Sequence, residues 1–135
     1  MDIQLKLDHL GIAVENLAEA LKLYEALGLS CTHYETVVEQ KVKTATLPLN
    51  ETNLELLEPI EANSPIGKFL TAKGGGLHHI ALQVEDIGEK LLELKNQGIR
   101  LIDETPRLGV GGSSVAFLHP KSTYGTLIEL VQRRK

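Results

Sequence analysis

The sequence predicts an α+β fold made of two tandem βαβββ modules that form a curved, mostly antiparallel sheet around a cleft. Three observations lead there. The chain alternates strand-type and helix-type hydrophobic periods, its second half repeats the pattern of its first, and two histidines and two glutamates fall at repeat-related places. With 135 residues, 42% hydrophobic and 24% charged, it suits one domain (1–135) with a real core.

Taken in order, Leu5 to Val14 alternates as a strand, with Leu10, Ile12 and Val14 on one face and His9, Gly11 and Ala13 on the other. Asn16 and Glu19 then make a capping-box-like start, in which Asn16 accepts from free helix amides and Glu19 reaches back. Leu17, Ala20, Leu21, Tyr24 and Leu27 recur at helical spacing before Gly28, so residues of about 16–27 should be an amphipathic helix. Strand-type patterning follows over Ser30 to Val38, Lys41 to Leu49 and Thr52 to Leu57. Module one therefore spans about 5–59. A connector over 60–76 carries a short helix near Ile66 to Thr71 and closes on Gly74, Gly75 and Gly76.

Module two, 77–132, repeats this plan. His9 lies over His79 with an offset of 70 residues (79 − 9), and the same offset carries Asn16 onto Asp86, Glu19 onto Glu89 and Gly28 onto Gly98. Strands are expected near Arg100 to Asp103, Ser113 to Leu118 and Thr126 to Gln132. Glu129 matches Glu55 at an offset of 74 (129 − 55), the four extra residues falling in the Gly109 to Gly112 loop. Each module alone would leave one half-apolar sheet face open, and pairing two modules buries it.

Composition narrows the function. A net charge of −4 argues against nucleic acid, and the basic cluster Arg133-Arg134-Lys135 is confined to a chain end. The single cysteine, Cys31, forbids an intramolecular disulfide and a cysteine zinc knuckle, which suits a reducing compartment. Met1 to Gln4 shows no signal-peptide pattern and no apolar run approaches membrane-spanning length, so the expected place is the cytoplasm, with no membrane partner.

His9 shares its strand face with Gly11 and Ala13, and His79 shares its face with Ala81 and Gln83, which leaves room before each ring. A lone strand histidine is ordinarily a hydrogen-bonded structural residue and a lone strand glutamate a solvated one. Four of them at repeat-related positions favour a shared purpose. Two buried carboxylates are costly without compensation, and a divalent cation supplies it. His9, Glu55, His79 and Glu129 are therefore the candidate metal ligands, a nitrogen and oxygen set suited to a borderline or hard divalent ion such as Co2+, Mn2+, Ni2+ or Zn2+. His78 points to the opposite face and is structural by parity. His33 and His119 fall outside the repeat.

These features resemble the vicinal oxygen chelate superfamily, to which glyoxalase I, extradiol dioxygenases and antibiotic-resistance proteins belong. More narrowly, Asp8-His9-Leu10-Gly11-Ile12-Ala13-Val14, Glu55-Leu56-Leu57-Glu58-Pro59, Gly76-Leu77-His78-His79-Ile80-Ala81, Phe117-Leu118-His119-Pro120-Lys121-Ser122 and Leu127-Ile128-Glu129-Leu130 resemble the methylmalonyl-CoA epimerases. The resemblance implies an isomerase that epimerises methylmalonyl-CoA at C2 through a metal-stabilised enolate, working as a homodimer. It implies Glu129 and Glu55 as catalytic residues, and Gly112, Ser113, Lys121 and Ser122 as substrate contacts, with Arg107 a further basic group nearby. Some members of that family carry a second glutamate where this chain has Thr44, and some carry glutamine where it has Glu55. Threonine is no general base of that kind. A glyoxalase I-type enzyme is the alternative activity. A non-catalytic antibiotic-binding protein is the alternative of another class, but its ligand would want aromatic walls, and this chain has no Trp and five Phe and Tyr together.

Overall fold

The computed structural model describes residues 5–134. The sequence readings at Met1 to Gln4 and at Lys135 lie outside them. The chain divides into two compact units, one formed by His9–His78 and the other by residues 5–8 together with those from His79 onward. The division falls inside the first strand.

In the His9–His78 unit the chain runs β1 (Lys6–Ala13), α1 (Leu17–Ala26), β2 (His33–Val37), β3 (Val42–Leu49), β4 (Thr52–Pro59) and α2 (Pro65–Lys73). The strand order is β2-β3-β4-β1. β2, β3 and β4 pair antiparallel as successive hairpins, whereas β1 pairs parallel with β4 through the long connection that parallel pairing needs, here α1, β2 and β3. Leu10, Ile12 and Val14 turn toward α1 and pack with Leu21, Ala45, Leu47, Leu54 and Leu56. The opposite sheet face carries His9, Gly11 and Glu55, as strand parity requires.

The second unit repeats the plan with β5 (Gly76–Gln83), α3 (Ile87–Asn96), β6 (Arg107–Leu108), β7 (Ser114–Phe117) and β8 (Ile128–Gln132). Its order is β5-β8-β7-β6, again with the first and last strands parallel. Leu91, Ile87, Val84, Ala116, Leu118 and Leu130 form the core beneath α3.

The two helices begin alike. Asn16 and Asp86 cap them, accepting from the amides of Glu19 and Glu89 at 2.9 and 3.0 Å. The expected reach-back by Glu19 is replaced by a contact with Lys22 at 3.1 Å. A second cap was not foreseen: the Glu58 carboxylate accepts from Leu17 N, and the Gln132 carboxamide from Ile87 N, both at 2.8 Å. Both caps come from the end of the last strand of their module and satisfy an amide that the helix itself leaves without a partner.

The connector helix is longer than its apolar pattern suggested, because Ser64 caps it and Pro65 occupies its first turn. It ends at Gly74, and Gly75 passes so close to β1 that an added Cβ would lie 3.2 Å from the Ala13 carbonyl oxygen. The expected strand at Arg100 to Asp103 is reduced to a single bridge between Leu101 and Leu118, and the pairing with β7 occurs instead at Arg107 and Leu108. The cause is Asp103, whose carboxylate takes the Phe117 amide at 2.9 Å, while the amides of Ile102 and Asp103 share the Phe117 carbonyl. A side chain has displaced the ladder.

Candidate metal centre

Each unit carries one buried histidine–glutamate pair. In the first, β1 pairs with β4 so that Gly11 stands opposite Glu55, and His9 Nδ1 lies 3.2 Å from Glu55 Oε2. In the second, Ala81 stands opposite Glu129, and His79 Nε2 lies 3.3 Å from Glu129 Oε1. The same register is reproduced in both modules: the small residue two places after the histidine faces the glutamate and keeps the space between them clear. The rings differ only in the nitrogen they present.

All four side chains are buried, with 3% to 6% of their surface exposed. Ionised carboxylates held so far from water need a positive partner, either a protonated imidazole or a cation. In each pair the histidine and the glutamate offer ligand atoms within 4.8 Å of one another. A neutral imidazole and a carboxylate form a borderline-to-hard donor set, which fits a first-row divalent ion and offers nothing to a soft one.

The second pair has a furnished surround. Phe117, directly opposite Glu129 in the β7–β8 ladder, meets the His79 ring edge-on with centroids 5.6 Å apart. Arg107 lies over that phenyl ring at 5.9 Å and bonds Asp103 at 3.1 Å. The phenyl ring thus packs against both the imidazole and the guanidinium.

The remaining expected site residues lie in the second unit. Gly111 and Gly112 take left-handed backbone, and a side chain on Gly112 would run into Arg134. Ser113 is buried, and its hydroxyl donates to the Val110 carbonyl at 2.8 Å, so it fixes the shape of the glycine loop. Lys121 is exposed, its amide donating to His119 Nδ1 at 3.1 Å. The Ser122 hydroxyl accepts the Arg100 amide at 2.9 Å. His78 packs edge-on against Phe69 at 4.8 Å, as its parity implied.

Three features escaped the sequence. Asp8 is buried, and both its oxygens accept from the Arg133 guanidinium, which also donates to the Val110 carbonyl at 3.1 Å. A residue read as part of a basic tail is therefore built into the unit and buttresses the glycine loop. His33 Nε2 and Glu35 Oε1 lie within hydrogen-bonding distance, 2.8 Å apart, on β2. Thr44 is 1% exposed and donates its hydroxyl to the Glu35 carbonyl at 3.0 Å. A His-x-Glu spacing on a strand would have signalled the second of these, because residues two apart share a face.

Residues 8–117 match the family model described as the glyoxalase/bleomycin resistance protein/dioxygenase superfamily. The Bacillus subtilis uncharacterized protein YqjC is 46% identical over 128 residues, covering 94% of this chain and 91% of that protein. The mitochondrial methylmalonyl-CoA epimerase of Dictyostelium discoideum is 42% identical over 130 residues, covering 95% of this chain and 78% of that one. Among solved structures, a Streptomyces coelicolor methylmalonyl-CoA epimerase variant in complex with 2-nitronate-propionyl-CoA superimposes with a TM-score of 0.92 at 37% identity, covering 95% of this chain and 94% of the other. The relatives named as methylmalonyl-CoA epimerases are isomerases. With the repeated βαβββ plan and the paired histidines and glutamates, the match over most of its length makes this chain a member of the glyoxalase/bleomycin resistance protein/dioxygenase superfamily.

Proposed function

We propose that the protein is a metal-dependent methylmalonyl-CoA epimerase, inverting C2 of the malonyl unit by proton removal and redelivery. The observation that carries this reading is the buried histidine–glutamate pair repeated in register in both modules, in a chain with methylmalonyl-CoA epimerases among its relatives. We assign His9, Glu55, His79 and Glu129 as metal ligands, for a divalent ion of which Co2+ is our first choice. That ion supplies Lewis-acid stabilisation for the negative charge that develops on the thioester oxygen.

The chain's own residues must do the rest. The C2 proton of a thioester is weakly acidic, so its removal needs a carboxylate positioned at the carbon and shielded from water. Glu129, 4% exposed and walled by Phe117, suits that task. Glu55 is the corresponding carboxylate of the first module, assigned to the ion and to a proton route. Gly112, Ser113, Lys121 and Ser122 are assigned to the substrate: glycine-loop amides suit a carboxylate, and an exposed lysine suits a CoA phosphate. We place the enzyme in the cytoplasm, where a free Cys31 thiol is stable, and assign it a homodimeric state.

Deuterium wash-in at C2 of methylmalonyl-CoA in heavy water tests the reading, run with and without added Co2+ and beside turnover of the methylglyoxal–glutathione hemithioacetal. Metal-dependent exchange at C2 is the expected result. Turnover of the hemithioacetal alone would transfer the assignment to a glyoxalase I-type enzyme. Inertness toward both substrates, with no metal bound, would indicate a binding protein.

A further inference from the structure

The sheet of the second unit carries a guanidinium on the same face as its histidine–glutamate pair. In the β6–β7 ladder Arg107 stands opposite Val115, and in the β7–β8 ladder Val115 stands opposite Val131. Phe117 and Glu129, themselves opposite one another, lie two residues along from these valines. Residues opposite on neighbouring strands share a face, and so do residues two apart on one strand. Ala81 extends the face to β5, because it stands opposite Glu129 and two residues from His79. Arg107, Phe117, Glu129 and His79 therefore project from one side of the sheet. The phenyl ring of Phe117 links the ends of this row, its centroid lying 5.6 Å from that of His79 and 5.9 Å from Arg107 Cζ. The guanidinium carbon is thus at most 11.5 Å, the sum of those distances, from the imidazole centroid.

Arg107 is held in the manner that anion binding requires. Its Nε lies 3.1 Å from Asp103 Oδ1 and its Nη2 donates to Asp103 Oδ2 at 3.4 Å, which anchors one edge of the fork. Phe117 supplies an aromatic platform for the cation. The Nη1 amino group has no partner among the described residues, and the arginine side chain is 40% exposed against 13% for Asp103. The anchor is covered while donors are left accessible, and a guanidinium so fixed suits the two oxygens of a carboxylate. Asp103 is itself held, since its Oδ2 also accepts the Phe117 amide at 2.9 Å. The carboxylate that displaces the expected strand at Arg100 to Asp103 thus builds the support for Arg107. Two residues beyond Arg107 the glycine loop begins, where Ser113 is 2% exposed and its hydroxyl is committed to the Val110 carbonyl. That loop offers backbone amides but no charge, and Arg107 supplies the charge.

We propose that Arg107 determines specificity for a carboxylated thioester: its unanchored N–H groups bind the free carboxylate of the malonyl unit, and Asp103 is the residue that positions the guanidinium. The carboxylate is one bond from the reacting carbon, whereas the CoA phosphates lie a whole pantetheine arm away. A guanidinium within 11.5 Å of the His79 ring is therefore matched to the carboxylate. Binding there fixes the reacting carbon relative to the histidine–glutamate pair on the same face and favours malonyl-type thioesters over simple acyl-CoA esters. The proposal rests on the epimerase reading above and adds to it the group that recognises the acyl unit.

The test is a calorimetric titration of the Co2+-loaded protein with methylmalonyl-CoA and with propionyl-CoA, which has the same CoA and no carboxylate. Arg107→Gln should weaken methylmalonyl-CoA binding about 10- to 100-fold, as for a lost charge-assisted hydrogen bond, and leave propionyl-CoA binding and Co2+ content unchanged. Arg107→Lys should recover part of the loss, since lysine keeps the charge without the fork. Asp103→Asn should lower the preference for methylmalonyl-CoA without changing the affinity for propionyl-CoA, a split that a purely structural role would not give. Equal weakening toward both thioesters in Arg107→Gln overturns the proposal and moves the contact to a CoA phosphate. Methylmalonyl-CoA binding within about twofold of wild type in that variant overturns it outright. Absence of C2 exchange in the wild type, with the Arg107-dependent preference intact, would instead overturn the epimerase reading alone.

Discussion

His78 and His79 are neighbours with opposite fates, and strand parity decides which is which. His79 faces Glu129 across 3.3 Å, whereas His78 packs on Phe69. Replacing His79 with Ala should weaken Co2+ binding about 100-fold or more in a calorimetric titration, since one proposed imidazole ligand is lost beside a buried carboxylate. His78→Ala should leave the titration unchanged. The four proposed ligands could be read from the sequence because a repeat and a period of two select them together. Asp8 and Arg133 could not be, because a pair separated by 125 residues leaves no period. The nitrogen that each ring presents was also beyond reach, since it depends on a side-chain rotation that no pattern encodes.

The helices were legible because their signals are local: a cap, a run of apolar residues at helical spacing and a glycine stop. Gly28 and Gly98 take the left-handed backbone that such stops require, with φ of 105° and 84°. The strand expected at Arg100 to Asp103 failed for the converse reason. Its apolar pattern was short, and the Asp103 carboxylate competes for the amide that a ladder would have used. The caps supplied by Glu58 and Gln132 were hidden as well, because they reach their helices from 41 and 45 residues away. Glu58→Ala should destabilise the protein by about 1–2 kcal/mol in urea denaturation, the usual cost of a lost helix cap. Gln132→Ala should cost a similar amount, which would mark the two caps as equivalent parts of the repeat.

On the scale of the whole molecule, the repeat in the sequence is reproduced as two strand orders of the same form, 2-3-4-1 and 5-8-7-6. The boundary between the compact units does not follow the repeat, however: residues 5–8 belong with the second module's elements. Arg133 holds them there through Asp8. Arg133→Ala would leave a carboxylate 5% exposed without its cation, at a cost of about 2–3 kcal/mol, less than for a wholly buried pair because the arginine side chain is 31% exposed. Thermal unfolding should register that loss, and Arg133→Lys should recover only part of it, since lysine has no fork to engage both oxygens.

That pairing also sets a timetable for synthesis. Asp8 leaves the ribosome 125 residues before Arg133, an interval of roughly 6–25 s at ordinary elongation rates. Residues 9–78 can fold as their last strand emerges, while the segment just ahead of them must stay solvated until its arginine has been made. The second unit therefore closes after translation has passed residue 133, and a stalled chain that ends before that point would display a finished first unit with a loose N-terminal arm.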